Sequence, residues 1–337
     1  MKGFDENKLL SLCDEKYVHN GYSNWTYWTS EIYSFGKHLR EYGFFPRILP
    51  LYIYTDHGPA SMLTNEPAPN ELESDACCQF YHSLYLVKKW KEISSKPCYV
   101  LYSPFVFCRK KKKIEKSPNA KGTLVFPAHS TQSVEDISNI EEYIEQLKNL
   151  PEKFHPISAC IHMHDIRKGL HKVFMKHEIP VYTVGHTCDY RFAERFYNLL
   201  KNFKYSTSNM IGSYTYYSVE MGIPFSIYGN QPKYINKDNP NIKIGNFDAY
   251  TEFSQCKIIY DLFDGLFEEI TEEQKKLVER DLGLIDGVSR LEMAKILYLA
   301  FFKQLNIKDL FQPFVKYSKR PRLIIKQLKY ELLKSDN

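Results

Sequence analysis

Between residues 122 and 229 the chain repeats one unit, a short β-rich run followed by a polar loop and then a helical segment. Gly122–Phe126 (GTLVF) leads to the loop Pro127–Ser133 and the acidic helical stretch Val134–Leu147. Ile157–Ile161 leads to His162-Met163-His164-Asp165 and the helix Lys168–His177. Pro180–Val184 leads to Gly185-His186-Thr187 and the helix Phe192–Phe203. Tyr205–Gly229 then joins a Ser/Thr/Asn loop and a Gly212-Ser213 turn to a helix closing on Gly222 and a short buried strand, Phe225–Tyr228. Strands that alternate with helices need crossover connections, so they build a parallel sheet with their loops along one edge. Four polar loops therefore meet there.

The first half repeats the theme less regularly. Thr29-Ser30-Glu31 opens a helix running to about Tyr42 and ending at Gly43. Ile48–Tyr54 is an apolar run of strand length, followed by the corner Thr55-Asp56-His57-Gly58-Pro59. Glu71–Gln79 reads as a loop, Tyr81–Lys91 as a helix and Cys98–Tyr102 as a strand. The basic run Arg109–Lys113 and the polar stretch to Lys121 read as a solvated linker, with contact to anionic lipid as the sharper alternative. Beyond the repeats, Ile270–Leu282 and Ser289–Leu305 are helical, with Thr271 and Gln274 spaced as a capping box. The basic, partly apolar tail 313–334 either packs back on the first half or lies on an anionic membrane surface. The expected division is a first unit at 1–115, a second unit at 120–310 and the tail at 311–337.

The net charge of +5 in 337 residues gives no general case for nucleic-acid binding. The eight cysteines show no zinc spacing, and the polar start MKGFDENKLL carries no signal peptide, so a cytoplasmic protein with reduced thiols is expected. No apolar run reaches the ~20 residues that a membrane span requires. The loops GxGxxG, GxxxxGK[ST] and GxSxG are all absent, which removes three common nucleotide and hydrolase signatures.

The candidate chemistry lies on the strand ends. His129, Ser130, Thr131, His162, His164, His186, Ser206, Ser208 and Ser213 offer imidazoles, hydroxyls and amides suited to a phosphate or pyrophosphate leaving group. His162-x-His164-Asp165 with His129 and His186 could instead hold zinc or iron. In the first half, Asp56 and His57 form the acid/base pair, or else a turn in which Asp56 caps the backbone.

GTLVFPAHST at 122–131, HMHD at 162–165, SNMIGSYTYYSVEMGIPFSIYG at 208–229 and EITEEQKKLVERDLG at 269–283 resemble bacterial surface-polysaccharide glycosyltransferases of GT-B architecture. Enzymes of this kind build capsule, O-antigen or lipooligosaccharide. The resemblance implies two Rossmann-like α/β domains facing each other across a cleft, with a CMP-, UDP- or GDP-linked sugar donor and a glycan or lipid-linked glycan acceptor. It implies metal-independent transfer without a cofactor; peripheral contact with an anionic membrane rests on the basic run and the tail alone. Ser208, Ser213 and Tyr214 would meet the donor phosphates, and His129, Ser130 and His162 or His164 would line the donor site. Asp56, or His57 if Asp56 only orients it, would deprotonate the acceptor. No glutamate stands clearly in the position that recognises a donor ribose; Glu220 reads as solvated or as a core cap. The competing readings are a metal-dependent hydrolase or sugar epimerase on the His loops, and a non-catalytic scaffold for polysaccharide assembly.

Overall fold

The structure is a computed structural model that describes residues 2–14, 28–47, 49–131, 133–237 and 254–305. The basic tail at 311–337 and its two expected docking modes lie outside the described residues.

Among the described residues, two parallel sheets form the frame. The smaller has strands β1 (Tyr54–Thr55), β2 (Gln79–Tyr81) and β3 (Cys98–Val100) in that order. The larger contains β4 (Thr123–Val125), β6 (Ile157–Cys160), β7 (Val181–Tyr182), β8 (Tyr205–Ser208) and β9 (Phe225–Ile227). Its order is β7-β6-β4-β8-β9, all parallel. The chain enters at the central β4, winds outward through β6 and β7, then returns to build β8 and β9 on the other side. That reversal puts a topological switch point between β4 and β8, the place where doubly wound sheets open a crevice at their carboxyl edge. A small antiparallel pair, β5 (Val134–Asp136) with β10 (Tyr234–Asn236), stands beside it. The fold is α/β with two Rossmann-like parallel units, as expected.

The strands of the larger sheet are short and buried because helices cover both faces, which is why they read as continuous apolar or small-residue runs rather than alternating ones. The two units share one continuous core. Phe105, on the Pro104–Lys112 helix, stacks on Tyr217 with centroids 4.3 Å apart and also meets Phe192 and Phe196 of the larger unit. Residues 2–14 and 254–305 pack across the division expected from the sequence. Phe4 N–H donates to the Val181 carbonyl, joining the amino-terminal segment to the larger sheet. The Glu272–Asp281 helix lies against the Ser213–Glu220 helix, while its Asp281 accepts from Ser61 and Ser83 of the smaller unit at 2.9 and 3.3 Å. The following Arg290–Gln304 helix covers the smaller unit, where Tyr42 donates to the Val288 carbonyl at 2.9 Å.

Several local expectations are corrected. In the expected strand Ile48–Tyr54, the described residues 49–53 are irregular and pairing is confined to Tyr54–Thr55, because Pro50 interrupts the ladder. Tyr81 ends β2 rather than starting a helix, which begins after the Ser83 N-cap. Arg109–Lys112 is the last turn of a helix, not a linker, and Arg109 is buried against Glu220. That pair also replaces the solvated or capping reading of Glu220. The Val134–Leu147 stretch splits into β5 and the helix Ile140–Lys148, capped by Asn139. The expected helix Thr29–Tyr42 breaks at Tyr33 and Ser34, both left-handed with φ of 57° and 65°.

Candidate active site at the sheet switch point

Asn209 is the first residue after β8, and its side chain ties the loops on either side of the switch point. Its Oδ1 accepts the Ala128 N–H at 2.9 Å, and its Nδ2 donates to the Asn230 carbonyl at 3.0 Å. Asp165 fixes the neighbouring loop by accepting the Ser130 N–H on both oxygens, at 3.1 and 3.3 Å. Burial raises the Asp165 carboxyl above its ordinary value, with His129 opposing the shift. These two residues position the loop that presents His129.

His162 is the N-cap of the Met163–Lys168 helix, so HMHD is a helix start and not a loop. Its Nδ1 accepts the His164 backbone N–H over a long 3.4 Å, which assigns the imidazole proton of the neutral ring to Nε2. That Nε2 is buried and has no hydrogen-bond partner among the described residues. The His129 ring stacks on His162 with centroids 4.3 Å apart, and His164 lies 5.2 Å away on the same basis. Desolvation first, and then the facing His129, His164 and His186, hold the His162 pKa well below the usual histidine value. His162 is thus a neutral donor without an acceptor. His129 Nδ1 lies 3.0 Å from the Ser130 carbonyl and donates to it, which leaves its Nε2 for another partner. Burial also lowers the His164 pKa.

The Ser213–Glu220 helix starts at the same edge, and Gly222 closes it with φ of 80°. Its N-cap Gly212 has no side chain to cap the first turn; Thr215 Oγ1 accepts the Gly212 N–H at 3.2 Å, and the amides of the first turn receive no side-chain cap from Gly212. Opposite stands the corner after β1. Gly58 meets Ser213 so closely that a Cβ at residue 58 would lie 2.2 Å from Ser213 Oγ. Next to it, His57 is exposed. Desolvation lowers its pKa; Asp56 opposes this, and His82 and His129 add to it. The Tyr33 ring lies 6.2 Å from the His57 ring at an interplanar angle of 27°, and Trp28 meets it edge-on at 5.7 Å. The Tyr33 backbone is anchored in the larger unit by donating to the Thr187 carbonyl at 2.6 Å.

His129, His162 and His164 therefore cluster, His57 feels the charge of His129, and Ser213 meets Gly58 next to His57. The other sequence candidates are committed elsewhere. Asp56 is 3% exposed; its Oδ1 lies 2.6 Å from His82 Nδ1 and its Oδ2 accepts the His82 N–H. Ser130 Oγ accepts the Asp136 N–H, and Thr131, exposed, closes a turn with Val134. Ser206 lies within β8 rather than on a loop and donates to the Pro224 carbonyl. Ser208 and Tyr214 bond each other at 2.9 Å, and the Tyr214 ring stacks on Phe126 at 4.9 Å. His186 is packed behind the edge, with its Nδ1 accepting the Cys188 N–H. Tyr33, Trp28 and Asn209 carry no functional reading from sequence, and Asp165 carries one only as a metal ligand. Only Asn209 and Asp165 stood beside recognisable loop motifs.

Among the described residues, no group of three or more His, Cys, Asp or Glu side chains is arranged to hold a metal ion. All eight cysteines are free thiols, and no described helix is long and apolar enough to cross a membrane.

No family model matches the chain, and no curated protein matches it. Among solved structures it is similar to a variant of the wall teichoic acid polymerase TagF, with 10% identity over 70% of this chain and a TM-score of 0.36. It is similar to an S. aureus MnaA–UDP co-structure, with 12% identity over 72% of this chain and a TM-score of 0.36. A further TagF structure gives 12% identity over 83% of this chain and 68% of that one, again with a TM-score of 0.36. The chain spans 60% and 65% of the first two neighbours, less than two thirds of their length.

Proposed function

We propose that the protein is a glycosyltransferase that moves a sugar from a CMP-, UDP- or GDP-linked donor to a glycan or lipid-linked glycan acceptor of a bacterial surface polysaccharide. The observation that carries this reading is the unpartnered Nε2–H of His162 at the carboxyl edge of the larger sheet, the edge at which the Ser213–Glu220 helix also begins. A buried neutral donor without an acceptor is costly unless a ligand supplies one. Paired with a helix N-terminus, it suits an oxygen that gains negative charge.

In this reading the donor phosphate or diphosphate lies between His162, His129 and the first turn of the Ser213–Glu220 helix. As the bond from the anomeric carbon to the leaving phosphate breaks, His162 Nε2–H and the helix amides take up the developing charge, and no metal is needed. His57 accepts the acceptor hydroxyl proton as that oxygen attacks. Its lowered pKa keeps the ring unprotonated and ready to do so at neutral pH. The base is therefore His57. Asp56 fixes His82, and with it the corner that carries His57.

Nucleotide release from a panel of CMP-, UDP- and GDP-sugars tests the reading. Release should survive chelation, and His57→Ala should slow it by about 10²-fold or more while donor affinity is kept. Loss of activity on chelation with recovery on adding zinc or iron would favour the hydrolase or epimerase instead. Donor binding without turnover by any nucleotide sugar would favour the scaffold.

A further inference from the structure

The Arg290–Gln304 helix is apolar on two sides, and only one of them is packed. Met293, Leu297, Ala300 and Phe301 are buried against the smaller unit. On the other side, Leu291, Leu299 and Phe302 are 76%, 59% and 69% exposed, with Tyr298 between them. The spacing 291, 295, 298, 299, 302 follows one helical face, and its remaining member is the exposed Lys295. Phe44 continues the surface. It is 55% exposed, holds a left-handed φ of 49°, and its carbonyl accepts from Tyr298 Oη at 3.2 Å. A phenylalanine held in that conformation and turned to solvent costs free energy that packing inside the chain does not recover.

The rim of this surface is basic. Arg290 lies 3.9 Å from the Phe44 ring centroid and 5.5 Å from that of Phe107; Lys111, 5.9 Å from the Phe107 ring, is paired with Glu41 at 3.1 Å and so adds no net charge. Lys303, on the same helix, is exposed, while the carboxylate of Glu292 is used in the capping box with Ser289. The sequence that follows the helix, residues 306–337, holds eight Lys/Arg and three Asp/Glu, so the chain's whole net charge of +5 resides there.

From the exposed apolar stripe, the basic rim and the charge of the adjoining sequence, we propose that this face docks on an anionic phospholipid bilayer. The helix of 15 residues is too short to span the ~30 Å hydrocarbon core, so it lies in the interface with Leu291, Leu299, Phe302 and Phe44 at the acyl boundary. Headgroup phosphates meet Arg290, Lys295 and Lys303, and the attraction is screened by salt. The inference supplies a surface for the lipid-linked acceptor reading but does not depend on the transfer reaction.

Sedimentation with vesicles of phosphatidylcholine alone, or with about one third phosphatidylglycerol, tests it on the full chain. The wild type should bind the anionic vesicles at least ~10-fold more tightly than the neutral ones, and salt should weaken that binding. The triple variant Leu291→Ser, Leu299→Ser, Phe302→Ser keeps the basic sequence and should bind anionic vesicles about tenfold more weakly. As a second readout, Phe302→Trp should add a fluorescence component that shifts to the blue with anionic vesicles. Equal vesicle binding by wild type and triple variant, or no shift in the tryptophan variant, would overturn the proposal. So would a wild-type dimer that becomes a monomer in the triple variant and binds no vesicles, because the face would then join two copies of the chain.

Discussion

Asp56 belongs to His82. The carboxylate spans the ring and the backbone of that residue, at 2.6 Å from Nδ1 and 3.1 Å from the amide N, and both residues are buried. An ionised carboxylate only accepts, so the His82 Nδ1 proton points to it and both oxygens are engaged. Asp56→Ala should therefore cost about 2–4 kcal/mol of folding stability, measured by urea unfolding, because it strands two buried donors. A variant that is inactive yet as stable as wild type would return Asp56 to the role of the base.

Gly58 and Ser213 make a close approach between the β1 corner and the larger unit. Gly58→Ala puts its Cβ 2.2 Å from Ser213 Oγ but 3.4 Å from Ser213 Cβ, so the clash is with the hydroxyl. The substitution should destabilise by about 1–3 kcal/mol. In a Ser213→Ala background the cost should fall by about 1 kcal/mol or more, read as the coupling energy of a double-mutant cycle. Strict additivity would mean that the corner can move away freely.

Acid should weaken the fold before the carboxylates titrate. Burial lowers the pKa of His38, His57, His162 and His164 in the folded chain. Between those lowered values and the ordinary ~6.5, the unfolded chain binds more protons than the folded one. The stability these groups contribute is complete above pH ~6.5 and is lost as pH falls through the folded-state values. The midpoint of thermal unfolding should drop between about pH 7 and pH 5, and His162→Gln should flatten part of that slope. The acid limb of kcat/KM should reflect His57 and lie below about 6.5.

Arg109 marks where the basic run leaves the solvent. Its guanidinium meets Glu220 through two bonds of 2.8 and 2.6 Å, and the Glu220 side chain is 5% exposed. Arg109→Ala should cost about 3–5 kcal/mol by leaving a buried carboxylate unpaired. Lys113→Ala, one residue past the helix on the exposed side, should stay within about 0.5 kcal/mol. Arg109→Lys should recover only part of the loss, because an ammonium cannot form the two-point contact.

The parallel sheet was legible because each strand is a short apolar run that ends in a polar loop, a pattern set by burial on both faces. Thr271 and Gln274 were legible for a local reason: the capping box bonds lie within four residues. Neither the Tyr33–Ser34 break nor the Asp56–His82 bond could be read, since the first opposes local propensity and the second joins residues 26 positions apart. Ser206 misled for the opposite reason. A Ser/Thr run has loop composition, yet in the middle of the sheet its hydroxyls bond strand carbonyls, as Thr207 does to Ser226. The histidines on the strand ends were visible as residue types. Their convergence, and the tautomer that makes His162 a donor, come from the helix that His162 caps.

The most direct measurement is a calorimetric titration of CMP, UDP and GDP into the wild type, His162→Ala and His57→Ala at pH 7.5. The account predicts saturable one-to-one binding of at least one nucleotide to the wild type, weakened about tenfold or more in His162→Ala and unchanged in His57→Ala. Binding that is indifferent to His162, or no binding of any of the three nucleotides, would contradict it.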